Sequence, residues 1–160
     1  MSREIRSFDY VNAPYESVRA ALSKDALAIF RSATKAAAGR THSVASALRV
    51  EIAGIELAKE IEISVKEVKE APGNAVTRLE LEWKAARAPG LFPMMKAELA
   101  VYPLTATETQ LDFSGRYEPP LGWLGTAVDA AIGHRIAEAS VHRFVSEVAH
   151  YLRSALELRK

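Results

Sequence analysis

The sequence predicts a single α+β domain over residues 1–160, in which a long C-terminal helix lies across a curved antiparallel sheet of about six strands and encloses an apolar cavity. Three observations carry that prediction. The apolar period changes from helical to two at about Ser43 and stays at two as far as Tyr117. Most connections between the alternating runs are short, which permits antiparallel neighbours and leaves no room for crossover helices. A helical pattern then runs from about Leu121 to Leu158, longer than a typical globular helix.

Taken in order, Glu4 to Val11 reads as a first strand. Asn12-Ala13-Pro14-Tyr15-Glu16 follows as a helix start, with Asn12 able to cap, Pro14 suited to a first turn and Glu16 at the positive end of the helix dipole. Tyr15, Val18 and Leu22 share one face of this helix. A second, alanine-rich helix is expected from about Asp25 to Ala38, with Ala26, Ile29, Phe30, Ala33 and Ala37 inward and Gly39 as its stop. Strand-like alternation then places Val44, Leu48, Val50 and Ile52 on one face. After a turn at Gly54, it does the same for Ile55, Leu57, Ile61, Ile63 and Val65. Pro72-Gly73-Asn74 is a turn, and Leu79, Leu81 and Trp83 face inward after it. Met95, Ala97, Leu99 and Val101 form a further run, and Leu111, Phe113, Gly115 and Tyr117 the last. The apolar segment from Ala85 to Pro93 either covers something or packs on the end of the sheet.

Composition narrows the function classes. Apolar residues make up 49% of 160, enough for a core without disulfides or metals. Lys plus Arg number 21 against 20 for Asp plus Glu, so no strong field gathers nucleic acid or an anionic membrane. The absence of Cys removes thiol nucleophiles and thiolate metal sites. Met1-Ser2-Arg3-Glu4-Ile5-Arg6 lacks the apolar run of a signal peptide, and no stretch reaches the roughly 20 apolar residues of a membrane span. A cytoplasmic protein without integral membrane association or bound cofactor is expected. No nucleophile elbow, zinc helix, Walker loop or dinucleotide fingerprint is present. His134, Glu138 and His142 share a helical stripe, but two turns separate the histidines, too far for ligand bonds near 2 Å to one ion. His142 reads as solvated, and His42 and His150 as surface residues.

The terminal helix is the most informative segment. At about 100° per residue, Trp123, Ala127, Ala130, His134, Ala137, Val141, Val145, Val148, Leu152 and Ala155 fall on one face, expected to meet the sheet. Its second half is bulky, whereas its first half is mostly alanine and leaves space beside His134. That histidine is either a core residue satisfied by a carbonyl or water, or the polar group of a site. On the opposite side, Leu121, Leu124, Val128, Ile132 and Ile136 form an apolar stripe to be covered by the chain itself or by a second copy in a homodimer, unless the helix breaks near Gly133. Lys59 has the strand parity of Ile55, Leu57, Ile61 and Ile63. It points inward unless a bulge near Ala58 turns it out.

The order strand, two helices, five strands and long helix resembles the helix-grip fold of the SRPBCC, or START-like, superfamily, which includes Bet v 1-like and polyketide cyclase-like proteins. Two segments carry the likeness. Val11-Asn12-Ala13-Pro14-Tyr15-Glu16-Ser17-Val18 resembles that superfamily's entry into its first helix. Tyr117-Glu118-Pro119-Pro120-Leu121-Gly122-Trp123-Leu124-Gly125 resembles its passage from last strand to terminal helix. Ala53-Gly54-Ile55 is a turn and not the glycine-rich loop of the plant allergen branch. Asp25-Ala26-Leu27-Ala28-Ile29-Phe30 lacks the pattern of the ubiquinone-binding branch. The resemblance implies a cavity and not a particular reaction. The leading expectation is therefore carriage of a small, largely hydrophobic ligand, lined by Lys59, Trp83, Met95, Tyr117, Trp123, Ala130 and His134. A polyketide cyclase or dehydratase using His134 as acid or base is the alternative. A protein-interaction scaffold with a filled core is the third.

Overall fold

The computed structural model describes residues 3–47, 61–70, 76–85, 94–118 and 130–157. Its elements are β1 (Arg3–Val11), α1 (Tyr15–Ala47), β2 (Ile61–Glu70), β3 (Thr77–Ala85), β4 (Met94–Thr105), β5 (Glu108–Glu118) and α2 (Ala130–Glu157). The strands form one antiparallel sheet in the order β1-β5-β4-β3-β2, so the first strand closes the edge beside the last. Five strands are thus described where about six are expected. Leu48 to Glu60, Pro72-Gly73-Asn74, the Leu91-Phe92 segment and Leu121 to Val128 lie outside the described residues.

The alternation in the last three strands holds as expected. Leu79, Leu81 and Trp83, Met95, Leu99 and Val101, and Leu111, Phe113 and Tyr117 are all buried on the inner face. Strand side chains alternate between faces, so one covered face selects every second residue. α1 starts where Pro14 places it. The Pro14 carbonyl accepts from the amides of Ser17 and Val18, and a residue without its own N–H loses nothing there.

The rest of α1 corrects the expectation. One helix of 33 residues replaces two helices and the beginning of a strand, running through Asp25 and Gly39 and ending after Val44 at Ala47. The physical reason lies in composition. Ala26, Ala28, Ala33, Ala36, Ala37, Ala38, Ala45 and Ala47 are the strongest helix formers, and one interior glycine costs only about 1 kcal/mol against them. A few alternating apolar residues do not outweigh that preference.

α2 is unbroken from Ala130 through Gly133 to Glu157. Ala137, Val141, Val145, Val148 and Leu152 are buried as expected. Ile136 and Phe144, which fall off the expected face, are buried as well, because α2 packs against α1 in addition to β1 and needs two apolar sides. Ile136, from the stripe assigned to the opposite side, is covered by its own chain. Phe144 sits at the centre of the core. Its ring meets Trp83 edge-on at 4.6 Å and lies 5.8 Å from Phe30 and 5.9 Å from Phe113, spacings favourable to aromatic pairs.

Candidate functional site

Backbone register brings three of the expected lining residues onto one row across the sheet. Trp83 of β3 pairs with Met95 of β4, Met95 with Tyr117 of β5, and Tyr117 with Arg3 of β1. Trp83, Met95 and Tyr117 are buried on the inner face. Within this row their surroundings differ. The Trp83 indole N–H donates to Thr34 Oγ1 at 3.0 Å and its ring stacks on Phe113 at 5.6 Å, so its polar tip and one face are engaged by the core. Met95 lies down over Gly115, where an added Cβ would come within 2.9 Å of its sulfur. Tyr117, only 2% exposed, reaches toward the start of α2.

There it meets His134. The Tyr117 hydroxyl is 3.1 Å from His134 Nδ1, and His134 Nε2 is 3.0 Å from a Glu138 carboxylate oxygen. The His134–Glu138 pair follows from four-residue spacing on a helix, which puts the two side chains one above the other. The phenol completes the chain from the facing strand. Exposure rises along it, with the His134 side chain at 30% and that of Glu138 higher, so the chain leads from the buried face of the sheet to solvent. Burial pushes the Tyr117 phenol above its ordinary value of 10.0. Arg3 opposes that shift, and Glu138 adds to it. Chemically, the arrangement is a carboxylate that fixes an imidazole, which in turn fixes a phenol at an apolar surface.

His142 does not join this group. It accepts or donates at Nδ1 to the hydroxyl of Ser7 on β1, 2.9 Å away, so the two histidines of the stripe serve different partners. Among the described residues no three metal-binding side chains converge. The Ser7 contact spans 135 residues and has no local sequence signal. Glu138 had one in its spacing from His134. Lys59 and Trp123 lie outside the described residues, and Ala130 is placed as the first residue of α2 by its backbone alone. On the outer face of the sheet an open groove of about 360 Å³ is lined by charged side chains including Glu80, Glu82, Lys96 and Arg116. Arg116 pairs with Glu4 there at 2.9 Å. Its lining suits water better than an apolar molecule. No helix among the described residues is long and apolar enough to cross a membrane.

Solved structures share this architecture over nearly the whole chain. The Zhui aromatase/cyclase from Streptomyces sp. R1128 superposes with a TM-score of 0.51 at 16% identity, covering 99% of this chain and 96% of that one. A START superfamily protein from Mycobacterium smegmatis gives 0.51 at 11% identity, covering 95% and 98%. The chain has a START-like fold. A conserved protein from Geobacillus kaustophilus superposes on the chain with a TM-score of 0.53 at 14% identity and 97% of each chain covered. Identities this low establish the fold alone. No protein-family model and no curated protein matches the sequence.

Proposed function

We propose that the chain binds a small, largely apolar molecule between the sheet and the first half of α2, with Tyr117 and His134 meeting its polar end. The observation that supports this reading is the Tyr117–His134–Glu138 chain, a hydrogen-bonding group held at an otherwise apolar inner face. Ligand sites have this character, an apolar wall with a few placed polar groups. Met95 and the edge of Trp83 continue the wall along the same row. Ala130, the first residue of α2, is proposed as a further lining residue of the same site. Lys59 and Trp123, which lie outside the described residues, are proposed for the same site from strand parity and helical spacing alone. Native mass spectrometry of freshly purified protein, together with fluorescence titration using N-phenyl-1-naphthylamine, tests the reading. The expected result is a retained small molecule or a saturable dye signal, lost in Ala130→Leu with the melting curve preserved. A parent that binds no dye, with an Ala130→Leu variant that unfolds readily, would identify the region as packed core.

The same geometry supports a second reading, acid–base catalysis of the polyketide cyclase or dehydratase type. A carboxylate on Nε2 orients an imidazole to accept a proton at Nδ1, and His134 has that arrangement. Cyclisation of a short aromatic poly-β-ketone analogue, abolished in His134→Gln, is the outcome expected of an enzyme. Binding without turnover leaves carriage as the function.

A further inference from the structure

The Glu138 carboxylate can only accept hydrogen bonds when ionised, so the 3.0 Å contact places a hydrogen on His134 Nε2. In a neutral imidazole the other nitrogen is then an acceptor. The 3.1 Å contact between Nδ1 and Tyr117 is therefore a hydrogen bond donated by the phenol. The geometry points to Tyr117 as the residue that selects the ligand's polar end, and to the protonation of His134 as what inverts its preference. With neutral His134 the phenol hydrogen is committed, and Tyr117 offers a ligand only lone pairs, suited to a hydroxyl or amine donor. With His134 protonated, Nδ1–H donates to the phenol oxygen. The Tyr117 hydrogen is then free to turn to a carbonyl or carboxylate acceptor. Glu138 is the positioning residue, since without a carboxylate on Nε2 either tautomer can form.

Three features of the fold support this. The Tyr117 hydroxyl is carried on a buried strand residue, so a ligand at the inner face meets it from the apolar side. His134 is partly exposed, so its proton exchanges with solvent without opening the core. The charged groups that act on Tyr117 are Arg3 of β1 and Glu138 of α2, and the phenol's raised affinity for its proton keeps it a hydrogen-bonding O–H through the range in which histidines titrate. Tyr117 and Glu138 flank the two ring nitrogens of His134 directly.

The inference rests on the binding reading above, and its test separates the two. Affinities of the full chain for naphthalene and for 2-acetylnaphthalene, neither of which titrates, are measured between pH 8 and pH 5.5. The ketone can only accept. Its affinity relative to naphthalene should rise about fivefold as pH falls, the effect of one hydrogen bond gained. That rise should vanish in Tyr117→Phe and in His134→Gln, and shrink in Glu138→Gln. A ratio constant with pH in the parent overturns the inference while leaving apolar binding intact. Nitrogen-15 shifts of His134 provide a readout without any ligand: the neutral ring should carry hydrogen on Nε2, and an Nδ1–H tautomer overturns the inference. Failure of both compounds to bind at every pH, alongside an Nε2–H tautomer, overturns the binding reading and the ligand preference built on it.

Discussion

Gly115 occupies a place on β5 where a side chain would collide with three neighbours. An added Cβ would lie 2.9 Å from the Met95 sulfur, 3.0 Å from Phe113 Cε1 and 3.1 Å from the Ala97 Cβ. The sulfur is the end of a flexible chain and can move, but the Ala97 carbon is fixed to the neighbouring strand. Gly115→Ala is therefore expected to destabilise by about 1–2 kcal/mol in urea unfolding, the overpacking cost exceeding the smaller gain from a stiffer unfolded chain. Tyr117 makes a prediction about alkali. Its phenol ionises near 10.0 when unfolded and higher in the fold, so above pH 10 the unfolded chain binds fewer protons and stability falls as pH rises toward the folded value. The melting temperature should decline above pH 10 and decline less in Tyr117→Phe, with no such difference attributable to this ionisation below pH 9. The inward direction of Tyr117 and Trp83 was legible from alternation. Their partners were not, because Thr34 lies 49 residues from Trp83 and no local pattern links them.

Strands were the elements most legible in the sequence, since one covered face imposes a period of two that β3, β4 and β5 all show. α1 was not, because alanine satisfies a helix without marking an inward face and Gly39 looks like a terminus when neighbours in space are unknown. The continuous helix gives opposite expectations for one substitution. In a helix interior, Gly39→Ala should stabilise by about 0.5–1 kcal/mol in thermal or urea unfolding. At a left-handed helix terminus the sign would reverse. In α2 the missed residue was Phe144, because assigning one inward face ignores a helix that packs on two sides. Its position among Phe30, Trp83 and Phe113 predicts a loss of about 3–5 kcal/mol for Phe144→Ala by urea unfolding, a large fraction of the stability of an ordinary domain.

For the whole molecule, a ligand that binds only the folded chain raises stability by mass action. N-phenyl-1-naphthylamine at about 100 times its dissociation constant should add about 2.7 kcal/mol to the parent in a melting experiment and nothing to Ala130→Leu. The candidate site was partly legible. His134 stood out as a polar residue in a sparse, alanine-rich half of a helix, and Tyr117 as the last inward residue of a strand. Their meeting depends on how α2 crosses the sheet, which no one-dimensional spacing encodes. The same crossing ties α2 to β1, through Ser7 with His142 and through Arg153, which bonds Asp9 and the Tyr10 carbonyl and lies over the Tyr10 ring. β1 precedes both its hydrogen-bonding neighbour β5 and its cover α2 in the chain, and its outward Phe8 is 72% exposed even in the finished fold. On the ribosome this strand must wait, unpaired and partly apolar, until β5 and α2 have been translated. The nascent chain thus offers a holding chaperone the inner apolar side of β1, Ile5 and Val11, a target that is lost when the later elements cover it.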